Sequence, residues 1–378
     1  MPAYNRTEIQ NLLADLDIKE TPLLLIDFSR LRENCRRFCA ALPGGRVFFA
    51  MKSNNDPRVL KTVYEEGLSF DVASWGEIQL LHSVGVPPER MMFGAPTKIP
   101  REIAAAYQFG VRTYAFDTRL EVEKLARLAP GSRLMARMAV KNEGSQWPLE
   151  KKFGMTPEQA LELIPFARNL GLEPLGLTFH VGSQNSDAAA WEKALRQVSG
   201  VWQTLRDGGI RLPVINLGGG FPVEYHQPVP GVEEISRRAQ TLAAELFDSG
   251  IQFFAEPGRG LVGDTGVMVS EVINRASRNG QEWVYIDAGV YHGLIEGLEY
   301  FGFEYPVFAE RQGADLRPFV ISGPTCDSAD VVAEKALLPE DLTLGDRLYF
   351  LNCGAYSNSM EFYNGIPYPP VMPVNDQS

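Results

Sequence analysis

The sequence predicts an α/β fold, with a (β/α)8 TIM-type barrel over residues 27–264. A C-terminal antiparallel β domain, of β-sandwich or barrel-like form, follows over 265–378 and takes in the N-terminal strand, and so residues 1–26. Three observations carry this expectation. Short apolar runs recur at 46–52, 69–73, 91–94, 113–116, 133–137, 175–180, 214–217 and 253–256. Helix-like segments separate them, and such alternation gives parallel strands covered by helices, with eight units the number that closes a barrel. Beyond Asp264 the long helical segments stop, and strand-like runs at 267–273, 281–287, 316–321 and 347–351 are broken by Arg278-Asn279-Gly280 and Leu344-Gly345-Asp346.

In chain order, TPLLLIDF (21–28) reads as a strand and Ser29 as the cap of a helix to about Ala41. Helical segments follow at 57–66, 75–84, 99–109, 119–128, 157–170, 188–207 and 232–249, several opening at Asp, Ser or Thr and closing at Gly67, Gly85, Gly110, Gly171 or Gly250. An open doubly wound sheet fits the same alternation but needs a Gly-rich fingerprint after its first strand, where Lys52-Ser53-Asn54-Asn55 stands. The proline-rich stretch from Gly365 to Pro370 reads as irregular.

A formal charge of −11 argues against nucleic acid or an anionic membrane as the main partner and favours cationic small molecules. The N-terminus lacks the apolar core of a signal peptide and no run of about 18 apolar residues occurs, so a cytoplasmic location with reduced thiols is expected. Cys35 and Cys39, spaced i, i+4, read as buried small apolar residues. The four histidines are scattered without ligand spacing, so no metal is expected.

On a barrel of this kind the chemistry collects at the carboxyl ends of the strands. Lys52 closes the first apolar run, Asp71 lies near the end of the second, Arg137 closes the fifth, His180 the sixth and Glu256 the eighth, while Gly218, Gly219 and Gly220 follow the seventh. Taken alone, a lysine closing a strand is a solvated rim residue, a histidine there a structural one, and three glycines a tight turn. Together they read differently. Glycine loops let backbone N–H groups approach an anion, and a second loop, Glu256-Pro257-Gly258-Arg259-Gly260, adds an arginine after strand eight, where phosphate sites form on this fold. A phosphate and a lysine in one barrel mouth point to pyridoxal 5′-phosphate, with Lys52 as the Schiff-base amine, Glu256 beside the pyridine nitrogen and His180 stacked on the ring.

The motifs FFAMKSN, FDVASWGEIQ, KKFGM, FHVGSQ, NLGGGFP, AEPGRG, GPTCDSAD and GAY resemble those of the ornithine/lysine/arginine/diaminopimelate decarboxylases, the fold-type-III pyridoxal phosphate enzymes, most closely the ornithine decarboxylase branch. The resemblance implies that Lys52 carries the cofactor, that His180 stacks on it and that Glu256 meets its ring nitrogen. It implies phosphate contacts from Ser183, Gly218 to Gly220, Gly258, Arg259 and Tyr356, with Asp71 and Glu77 near the lysine. It further implies a homodimer with shared sites, Cys326 delivering a proton across the interface and Asp327 holding the distal amine of the substrate.

Diaminopimelate decarboxylases carry an arginine at the position aligned with Glu296. A glutamate there, with Glu299 nearby and Asp327, predicts a substrate with a distal cation, as in ornithine or lysine. Two departures widen the choice: the aspartate that ornithine decarboxylases place in this segment is missing, and Trp147-Pro148-Leu149-Glu150 stands where they carry an arginine. A conjugated or carrier-bound amino acid, or a diaminopimelate-type substrate, is the alternative. An amino-acid racemase is disfavoured by Glu256, and a non-catalytic regulator by the joint presence of Lys52, His180, Glu256, Arg259 and Cys326.

Overall fold

The computed structural model describes residues 6–13, 16–148, 151–298, 302–313, 315–360 and 365–376. Eight parallel strands close a barrel: Arg46–Ala50, Ser69–Val72, Met91–Phe93, Thr113–Phe116, Arg133–Arg137, Glu173–Thr178, Val214–Asn216 and Gln252–Ala255, the last pairing back onto the first. Helices return each strand to the next, and their starts follow from side-chain caps: Asp56 accepts from the Arg58 N–H, Ser74 from that of Glu77 and Thr118 from that of Glu121. The helix Phe28–Ala41, which follows the N-terminal strand, is capped by Asp27 rather than by Ser29. All five glycines expected to close helical segments adopt left-handed backbone angles. Inside the barrel, Phe48, Met92, Ala115, Met135, Leu175, Val214 and Phe254 form a sealed apolar layer, so the carboxyl-end mouth has a floor.

The first strand ends two residues earlier than its apolar run. Ser53 Oγ donates to the Ala50 carbonyl at 2.9 Å and the Asn54 N–H to that of Met51, folding 51–53 into a 3-10 turn. Lys52 therefore projects from a turn and not from a strand. A ribbon absent from the sequence expectation, Ser145–Trp147 paired antiparallel with Ser183–Asn185, flanks the same mouth.

The second sheet is built on the strand Gly266–Arg278. Its first half pairs with Leu23–Asp27 and Arg347–Leu351, which brings the N-terminal strand in as expected, and its second half with Gln281–Ile286. The sheet is mixed, not wholly antiparallel: Leu23–Asp27 lies parallel to Val371–Val374, and Gln281–Ile286 parallel to Leu316–Ser322. Strands Val307–Ala309, Val331–Pro339 and Val371–Val374 were not expected, the last because it follows directly on the proline-rich stretch. Cys35 is buried as expected, whereas Cys39 is exposed. Among the described residues no helix is long and apolar enough to cross a membrane.

Candidate active site

A cleft of about 460 Å³ opens at the carboxyl ends of the barrel strands, and Lys52 stands in it. Its Nζ lies 3.8 Å from Asp71 Oδ2. Desolvation by the walls works against the charged amine, but Asp71 first, then Tyr356, Glu256 and Glu77, outweigh it and hold Lys52 above the ordinary lysine value. Burial pushes the Asp71 carboxyl up, with Lys52 and then Arg137 pulling it back. A side chain at residue 94 would place its Cβ 1.9 Å from Asp71 Oδ1, so Gly94 is what lets that carboxylate reach the lysine. Glu77 accepts the Ala73 N–H at 2.5 Å and braces the loop beside it.

Glu256 follows the strand Gln252–Ala255 and accepts a hydrogen bond from Asn216 Nδ2. Burial and then the neighbouring Asp71 raise its carboxyl to about 7, against the pull of Arg137, Lys52 and Asn216. His180 accepts the Gly182 N–H on Nδ1 at 3.0 Å, and burial, Arg137 and Lys52 hold its pKa well below the usual imidazole range. It is thus a neutral flat ring. A Cβ on Gly219 would sit 2.9 Å from His180 Nε2, so the ring and the glycine loop need each other's shape.

Gly219, Gly220, Gly258, Ser183, Arg259 and Tyr356 border the cleft. Gly218 does not: its φ of +65° and the 1.8 Å approach of a Cβ to the Phe179 carbonyl make it a backbone crossing point, and its own carbonyl takes the Glu256 N–H at 2.7 Å. Gly218, expected to contact the cofactor, supports the glycine loop through this backbone crossing. Tyr356 is brought in from the second sheet by its N–H, which donates to the Ser53 carbonyl at 2.7 Å.

Glu296, expected to meet the substrate, does not border the cleft. Its carboxylate is buried and paired with Arg259, Nη1 donating to Oε2 at 2.7 Å and Nη2 to Oε1, so it offers no free charge to a substrate. A glutamate this buried needs a cation, and Arg259 is the one within reach. Glu299 lies outside the described residues. Cys326 and Asp327 are exposed and do not border the cleft of their own chain. Asp327 Oδ2 accepts the Tyr291 hydroxyl at 2.8 Å, and the Ala329 N–H first and then that hydroxyl hold its carboxyl below the usual range.

Several cleft residues were given no role by the sequence. The Arg137 guanidinium borders the cleft 5.6 Å from the Phe153 ring, with no side-chain hydrogen bond or ion pair to a described residue, and Lys151, Lys152 and Phe153 form one wall. Arg137 stood among the strand ends and Lys152 in the KKFGM motif; neither carried a partner that would mark its use. Asn216, which donates to Glu256, opens the NLGGGFP motif but was given no role of its own. Buried Lys98 pairs with Glu121 at 2.9 Å and donates to the Ala95 and Ala115 carbonyls, fixing the Ala95-Pro96 wall, and burial lowers its pKa to about 8.

Residues 28–263 match the family model described as the pyridoxal binding domain of pyridoxal-dependent decarboxylases. The chain belongs to this family. A lysine/ornithine decarboxylase of Selenomonas ruminantium is 33% identical over 94% of this chain and 90% of its own length. A lysine/ornithine decarboxylase from Vibrio vulnificus, solved with cadaverine, superposes with a TM-score of 0.90 at 33% identity, covering 98% of this chain and 100% of that one. Antizyme inhibitor 2 of Xenopus laevis is 31% identical over 89% of this chain and 77% of its own length. This decarboxylase acts on an amino acid with pyridoxal phosphate as cofactor. The cleft fits that group: a Cβ at Gly219, Gly220 or Gly258 would press on His180, the Gly182 carbonyl or Ser53, so bare backbone borders the cleft there, and Arg259 Nε is buried without a hydrogen-bond partner among the described residues.

Proposed function

We propose that the cleft decarboxylates an amino acid with a cationic distal group, of the ornithine or lysine kind, to the corresponding amine. The observation that carries the chemistry is Lys52 beside Asp71 in a cleft that also presents Glu256, a neutral His180 and a glycine cradle. Lys52 Nζ would hold the cofactor covalently, Gly219, Gly220, Gly258, Ser183, Tyr356 and Arg259 would receive its phosphate, and Glu256 would favour a proton on its ring nitrogen. His180 would offer it a flat ring without adding charge. Bound pyridoxal phosphate supplies the electron sink for the pair left when the carboxylate departs.

Cys326 and Asp327 act, in this reading, in the cleft of a second copy of the chain, which is why they are exposed and outside their own. The Cys326 thiol returns a proton to the carbon that lost CO₂, and Asp327, held by Tyr291, meets the distal cation. A regulator without chemistry would need none of these groups. A second reading is favoured by one observation: with Glu296 committed to Arg259, the distal pocket carries less negative charge than the sequence promised. A conjugated, carrier-bound or diaminopimelate-type amino acid fits that better.

A screen for amine product with L- and D-ornithine, lysine, arginine and diaminopimelate, followed by conjugated analogues, separates the readings. Turnover of ornithine or lysine supports the first; turnover restricted to conjugated analogues or diaminopimelate sinks it.

A further inference from the structure

Arg259 is held in a box. Its Nη1 donates to the Tyr225 hydroxyl at 2.8 Å as well as to Glu296, and its Nη2 also donates to Glu296. The rings of Trp147, Tyr356 and Phe303 lie 4.7, 5.2 and 5.7 Å from Cζ. Both charged partners are buried, Arg259 at 4% exposure and Glu296 at 7%. A guanidinium whose terminal fork is occupied by a carboxylate, with aromatic rings around it, has one orientation. What it has left over is Nε, buried and without a partner among the described residues, in a residue that borders the cleft next to Gly258. Glu296 comes from a 3-10 turn of the second sheet region, 37 residues away.

We propose that Glu296 is a positioning residue for the cofactor: by occupying the terminal fork of Arg259 it turns Nε toward the cofactor phosphate. The inference rests on the reading of Arg259 as a phosphate ligand. Glu296 also offsets the guanidinium charge, so the phosphate is held by directed N–H groups and not by a mobile cation. The outer partner of a ligating group acts in this way on metals and anions alike, by fixing the donor's direction. The charge that the sequence assigns to substrate recognition is spent instead on the far end of the cofactor.

The test is titration of the apoprotein with pyridoxal phosphate, followed by the absorbance of the bound cofactor, for the wild type, Glu296→Gln, Glu296→Asp, Arg259→Met and the double variant Arg259→Met/Glu296→Gln. Glu296→Gln is expected to weaken cofactor binding by roughly tenfold to a hundredfold, the range for loss of an outer partner. At saturating cofactor its KM for substrate stays at the wild-type value. Arg259→Met weakens binding as well, and the double variant binds no worse than Arg259→Met, because Glu296 acts only through the arginine. Glu296→Asp keeps the charge but shortens the reach by one methylene. It stays measurable if the uncharged variant fails to fold, and weaker binding is expected for it too. Wild-type affinity in both Glu296 variants, or a double variant weaker than Arg259→Met, overturns the proposal. If Arg259→Met itself binds the cofactor like wild type, the phosphate reading of Arg259 fails and the inference falls with it. Loss in Arg259→Met with none in the Glu296 variants removes the inference alone.

Discussion

Asn216 Nδ2 donates to Glu256 Oε1 at 2.5 Å, tying together the ends of two adjacent barrel strands. Asn216 is itself set by its Oδ1, which accepts the Gly218 N–H at 2.9 Å, so the glycine loop, the amide and the carboxylate form one rigid unit. Glu256 is thereby pre-aimed before any cofactor arrives.

The raised pKa of Glu256 makes a prediction for the apoprotein. Its carboxyl titrates near 7 in the folded chain against an ordinary 4.5, with burial the main cause. Between those values the folded chain keeps a proton that the unfolded chain has released, so Glu256 makes stability fall as pH rises through that window. Thermal unfolding of the apoprotein should show this fall, and Glu256→Gln should flatten it. Asn216→Ala, which removes a donor to the ionised form, should move the upper end of the window upward.

Lys52→Ala should abolish turnover, because the amine proposed to hold the cofactor is gone. Spectra after addition of pyridoxal phosphate are the check: retention of the wild-type long-wavelength band in the variant would falsify the assignment of Lys52.

A shared site predicts complementation. Lys52→Ala lacks the amine of one cleft and Cys326→Ala the thiol supplied to the other, so a dimer formed from one of each contains one intact site. Random reassortment of equal amounts should restore about a quarter of wild-type activity. Activity no greater than that of the separate variants after mixing and refolding argues that each chain works alone.

Asp327→Asn should raise KM for a substrate with a distal ammonium by about tenfold, equivalent to about 1.4 kcal/mol, with little change in cofactor affinity. An unchanged KM for ornithine and lysine would point to the conjugated or diaminopimelate-type substrate.

How much of this was legible in the sequence varies with the range of the interactions. The barrel follows from alternating apolar runs and helical segments, since burial on both faces of a parallel strand is written into consecutive residues. Its boundaries shifted where side chains bond back to the backbone, as at Ser53 and Asp27. The mixed pairing of the second sheet was not legible, because whether Val371–Val374 runs parallel or antiparallel to Leu23–Asp27 depends on where the chain returns.

The site divides in the same way. Lys52, His180, Glu256, Gly219 and Gly220 could be picked out because each closes or follows an apolar run, and the position of a strand end is a local property. Which charge meets which is not local. Glu296 and Asp327 both read as carboxylates for a distal amine, yet folding buries one against Arg259 and leaves the other exposed beside Tyr291. A buried carboxylate must find a cation, and only the packing of the second sheet against the barrel brings Arg259 within reach. The sequence by itself thus determined the barrel and the residues at its mouth; the tertiary structure decided which of their charges remain free to act.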